Sequence, residues 1–401
     1  MRPAGRRFGW VFAGTSLYGA AQLVLVVTVA KHADAVLIGS YGLAQAVTSP
    51  VLMFSHFELR RLLATDVARR YGLGEYLSLQ LATGLLGLAV CAVIGWAWLE
   101  GQLPLVMAVG LKKTLECIGE LMLGAYQRAD RLDRLASSMI MRALGDVCVV
   151  PAVFVASGSL ALALMTGCAL SGVILVVYDV RSLRRLGERL GLVRSWRRLL
   201  ALARDGMPAG LTATLTSLNG SLPRYLIEVY RDRALLGYFV SLNQLLQAGT
   251  LVNTAITHAE LATLSRSLGQ GRARFRASLG RVCAVQASVQ LVALLVMVVA
   301  GAQILAAVYR PDYAQFATVA IILLLGAAVR AVAGALSAGH MVLRSVREEA
   351  AATALTGAAT VAFGLLWIPG WGLMGAALAI LAAALLNILT SGWIIRRGLT
   401  A

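Results

Sequence analysis

Apolar runs of about 20 residues recur along this chain, and short arginine-bearing segments separate them. A helix needs about 20 mostly apolar residues to cross the hydrocarbon core of a bilayer. Twelve runs meet that length, at about 8–30, 36–58, 76–98, 103–125, 136–157, 159–178, 207–230, 234–258, 279–300, 314–340, 350–368 and 372–394. Of 401 residues, 59% are hydrophobic and 14% charged, and the mean hydropathy is +0.77. A soluble domain carries about 25% charged residues. The runs are rich in Leu, Ala and Val and show no strand alternation, which excludes an outer-membrane barrel. The fold class expected is an all-α integral membrane protein.

The net charge of +17 could point to nucleic acid, but its placement argues otherwise. With the N-terminus inside, 27 of the 36 Lys and Arg residues fall in inner segments, four in outer segments (Lys31, Arg231, Arg233, Arg310) and five within spans. Such asymmetry obeys the positive-inside rule and puts both termini in the cytoplasm. No basic patch interleaved with aromatics appears, so nucleic acid is not an expected partner. The five cysteines (Cys91, Cys117, Cys148, Cys168, Cys283) lie in apolar runs without metal spacing and read as packing residues. The start, MRPAGRRFGW, resembles a signal-peptide n-region, but no A-x-A-like cleavage site follows, so a retained first helix is expected.

The longest inner loop, 179–206, carries eight arginines and divides the chain into a six-helix lobe (1–178), a basic cytoplasmic linker and a second six-helix lobe (207–401). Its arginines recur with Leu and Trp at helical spacing, which predicts an amphipathic helix resting on the anionic leaflet as well as a connection. The halves echo one another. Asp34–Gln45 (DAVLIGSYGLAQ) and Arg233–Gln244 (RALLGYFVSLNQ) share Ala, Leu, Gly, Tyr, Leu and Gln in order, with one gap. Each opens the second helix of its half, as parallel transporter repeats do. There is no GxxxxGK[ST], HExxH or exposed GxSxG, and the four histidines are scattered. Neither an enzyme nor a cofactor nor a metal is expected.

Polar residues inside spans carry the functional signal, because a charge at bilayer depth costs roughly 2.5–3.5 kcal/mol and faces a bundle interior or a wet cavity. The stretch 206–266 reads as a hairpin of two such helices, with Asn219, Arg224 and Glu228 on one arm and Asn243, Gln244, Gln247 and Asn253 on the other. Gly220 and Pro223 precede Arg224 and predict a loosened backbone. In the fourth span, Lys112, Glu116 and Glu120 share one face at i, i+4, i+8, either as a self-neutralising stack or leaving Lys113 for an anion. Arg142 and Asp146, and Arg224 and Glu228, are also spaced i, i+4 and read equally as internal pairs or site residues. Arg330 has no carboxylate within a turn. Five cations against four nearby carboxylates predict a mildly cationic cavity, suited to phosphate or pyrophosphate.

Several segments together resemble a known family: FELRRLLATDVARRYGLGEYLSLQL after the second span, YQRADRLDRLASSMIMRALGD into the fifth, GMPAGLTATLTSLNGSLPRYLIEVYRDRALLGYF in the hairpin, AAVYRPDYA before the tenth, and IPGWGLMGAALA between the last two. The chain resembles the polysaccharide (O-antigen type) flippases of the multidrug/oligosaccharidyl-lipid/polysaccharide exporter superfamily. That resemblance implies a V-shaped bundle of two six-helix lobes in a bacterial inner membrane. It implies alternating access that moves polyprenyl-diphosphate-linked oligosaccharides across the bilayer for lipopolysaccharide or other surface polysaccharide. Polysaccharide polymerase and glycosyltransferases are then candidate partners, besides the lipid-linked substrate and membrane lipids. Arg224 in SLPRYLIE and Arg142 in SMIMRALG match the family pattern. Arg330, Lys113, Lys112, Asn219 and Gln244 join them as substrate-binding candidates from the cavity argument, and Glu116, Asp146 and Glu228 are coupling or ion-pair candidates. A cation-coupled multidrug exporter of the same superfamily, and a non-transporting scaffold for polysaccharide synthesis, are the alternatives.

Overall fold

The computed structural model describes residues 4–66, 68–99, 101–247, 264, 267, 269–343 and 346–398. Helices dominate, and no strand occurs among the described residues. In order they are α1 (Ala4–His32), α2 (Ala35–His56), α3 (Leu59–Thr65), α4 (Leu73–Trp98), α5 (Leu103–Arg128), α6 (Leu132–Ser157), α7 (Leu160–Ile174), α8 (Arg181–Arg185) and α9 (Trp196–Tyr230). Then come α10 (233–247), α11 (Arg272–Val308), α12 (Ala317–Leu343) and α13 (Val346–Gly398). A π-helical turn, Leu175–Val180, joins α7 to α8.

Among the described residues, eight helical segments are long and apolar enough to cross a membrane. Their exposed faces are apolar: Leu85, Leu86, Val93 and Trp96 on α4, Val292, Leu295 and Val299 on α11. Such faces need a hydrocarbon solvent rather than water. The eight do not match the twelve expected runs one for one. α5 is diluted by Lys112, Lys113, Glu116 and Glu120, and α9 by its Thr, Ser and Asn residues. The run expected at 234–258 continues past residue 247, so Asn253 lies outside the described residues. The last two expected runs are both present in α13, which breaks at Gly372 (φ 55, ψ −126). The helix is unbroken through Gly220 and Pro223, so the expected interruption before Arg224 does not occur.

The basic connection also differs from the expected amphipathic helix. Gly187, at φ 81, ends α8. Its N–H donates to the Arg184 carbonyl at 3.0 Å and the Glu188 N–H to the Leu183 carbonyl at 3.1 Å, the paired capping bonds of a left-handed helix end. Residues 188–195 then run without helix until α9 starts at Trp196. This strap is bound to the rest of its unit. The Val193 N–H donates to Ser78 Oγ at 2.8 Å, Arg198 pairs with Glu75 at 2.9 Å, and Arg128 with the buried Glu188 at 3.0 Å. Tyr71 donates its hydroxyl to Asp205 at 2.9 Å.

The chain forms two compact units, residues 1–33 with 40–221, and residues 34–39 with 222–401. In the first, α5 packs on α3, α4, α6 and α7, and α1 lies along α6. In the second, α12 packs on both α11 and α13, and the start of α2 meets the start of α10. The echo between Asp34–Gln45 and Arg233–Gln244 has a physical counterpart there. A Cβ on Gly39 would come within 2.0 Å of the Arg233 carbonyl oxygen, and one on Gly237 within 1.9 Å of the Ala35 carbonyl oxygen. The glycine of each echoed segment thus receives the backbone of the other. Gly237→Ala is expected to destabilise the protein by roughly 1–3 kcal/mol through overpacking, read as a lower melting temperature in detergent. Gly280→Ala, where a Cβ meets nothing within 4 Å, is expected not to lower it.

Candidate functional site

Two adjoining hollows lie inside the first unit. The smaller, about 60 Å³, is lined by Gln22, Tyr41, Gln45, Lys112, Lys113, Glu116 and Asp146 among others. The larger, about 310 Å³, shares Lys113, Glu116 and Asp146 and adds Tyr18, His56, Arg60, Gln80, Glu120 and Arg142. α5 supplies four of the eight charged residues lining them, Lys112, Lys113, Glu116 and Glu120, because its polar stripe faces inward. Its Val106, Val109, Ile118 and Met122 are buried against neighbours, so the helix has no bare side to give to lipid.

Lys112 is the centre of the smaller hollow. Its Nζ donates to Asp146 Oδ1 of α6 at 2.7 Å and lies 3.5 Å from Glu116 Oε1, one turn along α5. All three side chains are at most 24% exposed. The remaining pairings differ from those expected at i, i+4 spacing. Arg142 does not take Asp146. It pairs with Asp179 at 2.5 Å, whose carboxylate is fully buried and also accepts from the Tyr126 hydroxyl at 3.2 Å. Glu120 pairs with Arg60 rather than stacking with Glu116. Glu228, on α9, accepts from Arg233. In each case the partner lies on another segment or across a turn, and a same-helix i, i+4 pair is worth only about 0.2–0.5 kcal/mol.

Asp179 is the site residue that the sequence reading missed, because it falls at the first position of the basic linker. The π-helical turn over Leu175–Val180 continues the apolar run past residue 178 and carries Asp179 inside; such turns recur at functional positions. On α5, Gly119 leaves room for this pair, since a Cβ there would lie 2.0 Å from Arg142 Nη1. His56 contacts Gln80 through Nδ1, and its Nε2 is buried with no hydrogen-bond partner among the described residues.

The larger hollow counts Arg60, Lys113 and Arg142 against Glu58, Glu116, Glu120 and Asp146. The expected cationic bias is therefore not found here: Arg60 comes from a segment read as loop, Glu58 from the last residue of the second run, and carboxylates outnumber cations. Lys113 stands apart within this balance. It is half-buried, lines both hollows, and makes no ion pair or hydrogen bond among the described residues.

Of the other expected site residues, none lines either hollow. Asn219 and Arg224 on α9 are half-buried and engaged with other protein groups. Gln244 on α10 is half-buried. Arg330 on α12 is exposed and has no ion pair among the described residues.

Removing Lys112 would leave Asp146 buried without its cation. Lys112→Met is expected to cost about 3–5 kcal/mol, while Lys112→Met with Asp146→Leu recovers most of the loss, because a broken buried pair is worse than none. Melting in detergent distinguishes this from two independent losses that simply add.

No family model matches the sequence. A curated relative, "Capsular polysaccharide biosynthesis protein CapF" of Staphylococcus aureus, is 22% identical over 265 residues, 65% of this chain and 66% of the relative, so the match spans just under two thirds of that protein. Among solved structures, the lipid II flippase MurJ in an inward closed conformation superposes with a TM-score of 0.70 at 11% identity, over 96% of this chain and 87% of that one. An inward-facing multidrug resistance MATE transporter of the MOP superfamily gives 0.65 at 14% identity, over 96% and 95%. These neighbours are transporters and flippases rather than enzymes. The chain is thus a multi-pass membrane protein with the fold shared by MurJ and the MATE transporters of the MOP superfamily, as its resemblance to the polysaccharide flippases implied.

Proposed function

We propose that the protein is a flippase for lipid-linked oligosaccharides, moving a polyprenyl-diphosphate sugar across a bacterial inner membrane for surface polysaccharide. The observation that carries the reading is Lys113, a half-buried ammonium at span depth beside a polar hollow, with no ion pair of its own among the described residues. A charge in that position is costly unless something anionic meets it, and a diphosphate has the charge and the acceptors to do so. The likeness to a lipid II flippase and to a capsular polysaccharide protein supports the substrate class.

Further parts of the reading stand with it. The chain crosses twelve times with both termini cytoplasmic: the eight apolar segments are joined by α5, α9 and the run expected at 234–258, whose described part is α10, and α13 counts as two at Gly372. The basic strap marks the join between two six-helix repeats. Arg142, Arg224, Arg330, Lys112, Asn219 and Gln244 contact substrate during the cycle, with Glu116, Asp146 and Glu228 setting the charge around them. Polymerase and glycosyltransferases act on either side of the step.

A second reading, a cation-coupled multidrug exporter, is favoured by the four carboxylates of the larger hollow and by the MATE likeness. One experiment separates them. In proteoliposomes, Lys113→Ala is expected to slow translocation of a polyprenyl-diphosphate oligosaccharide by about 10–100-fold, the loss of one charge-assisted bond. Lys113→Arg should keep most of the rate, and the melting temperature should not fall in either. Unchanged lipid translocation in Lys113→Ala would reject the anion role, and efflux of a cationic dye abolished in Glu116→Gln would favour the exporter.

A further inference from the structure

The second unit holds a different kind of hollow. It is about 840 Å³, lies between α11, α12 and the end of α13, and is walled by Leu279, Cys283, Leu336, Leu389 and Trp393. Leu389 is 69% exposed and Trp393 60%, so the groove opens sideways to the surrounding solvent, which for these spans is lipid. Two glycines keep it open: Gly280 and Gly392 line it, and a Cβ on either would meet nothing within 4 Å.

The one polar feature of the wall is cationic. Arg276 and Arg396 both line the groove and both are exposed, and Arg396 also engages another protein group. Arg276 lies in the second turn of α11, and Arg396 two residues before α13 ends at Gly398. These are helix ends, where apolar spans meet a membrane interface, and the apolar wall runs from them along the spans. No carboxylate lines the groove among the described residues. An apolar slot with arginines only at its interfacial end is complementary to one kind of molecule: an acyl-chain lipid with a negative head group. Arginine holds phosphate in a fork, and basic pockets between membrane helices take anionic head groups.

We propose that this groove is a binding site for an anionic phospholipid, its phosphate on Arg276 and Arg396 and its chains along Leu279, Leu336, Leu389 and Trp393. The site is separate from the hollows of the first unit and does not depend on the flippase reading.

The test uses the full chain purified in a neutral detergent, titrated with phosphatidylglycerol or with phosphatidylcholine of identical chains, with bound lipid counted by native mass spectrometry. Phosphatidylglycerol is expected to bind about tenfold more tightly, the margin of one charge-assisted contact. Arg276→Gln with Arg396→Gln should bring it down to the phosphatidylcholine level, and Gly392→Leu, which fills the slot, should weaken both lipids. Both arginines are exposed, so the double variant should fold; if it does not, Arg276→Gln alone carries the comparison. Equal binding of the two lipids by the unaltered chain, or a preference that survives Arg276→Gln with Arg396→Gln, overturns the proposal. So does displacement of phosphatidylglycerol by a polyprenyl phosphate at equal concentration, which would give the groove to a prenyl lipid instead.

Discussion

A lysine that cannot be left alone in hydrocarbon organises the first unit. Lys112 sits at mid-helix on α5, and its ammonium is held between Asp146 and Glu116. Desolvating a charge costs several kcal/mol, recovered only with good geometry and a paired opposite charge. That requirement fixes the rotation of α5, because the lysine must face α6. It also fixes what the rest of α5 can touch: the turn on either side then presents Lys113, Glu116 and Glu120 to the same interior, and each of the two glutamates needs its own answer. Arg60 answers Glu120, and Lys112 answers Glu116. Lys113 is left facing the hollow with no such answer among the described residues. The hollow is therefore a consequence of packing a charged helix inside a bundle, where side chains of this size and hydration do not close-pack as Leu and Ala do.

How much of this could be read from the sequence depends on the range of the interaction. Hydropathy is a property of consecutive residues, so runs such as 76–98 and 159–178 are legible and recur as α4 and α7 with its continuation. The break between the last two runs is legible too, because IPGWG places Pro and Gly where α13 departs from helical geometry at Gly372. Ion pairing is a property of neighbours in space. Spacing of i, i+4 offers Arg142 the carboxylate of Asp146, and Arg224 that of Glu228, but Asp146 goes to Lys112, 34 residues away, and Glu228 to Arg233 across a turn. A local pair on an exposed helix is weak, so any partner that packing brings within 3 Å displaces it. Asp179 escaped for a related reason: a π-helical turn is not visible in a charge pattern, and a carboxylate beside eight arginines reads as linker.

The two units answer the same constraint differently. The first neutralises its polar groups within itself, through Lys112, Asp146, Arg142 and Asp179, and even its strap is tied down by Glu188, with Glu75 holding Arg198 at the start of α9. The second is poorer in carboxylates. Its close approach is chiefly backbone to backbone, Gly237 against Ala35 and Gly39 against Arg233. Weak sequence similarity between the echoed segments therefore understates their likeness. What the two segments share is the residue without a Cβ at the point where their backbones meet.

The two bonds of Lys112 differ in what they depend on. The contact with Glu116 lies within α5 and survives any movement of that helix as a body. The bond to Asp146 crosses to α6 and survives only while the two helices keep their present register. Because one partner shares its helix, sliding of α6 against α5 leaves Asp146, not Lys112, to find a new counter-charge among the groups lining the hollows. The energetic burden of any rearrangement in this unit thus falls on one carboxylate, and of the cations lining the larger hollow, Arg60, Lys113 and Arg142, only Lys113 makes no ion pair among the described residues. A fold that must rearrange in a membrane without stranding a charge needs such a spare cation within reach, and an unpaired lysine one residue from the clamp supplies it.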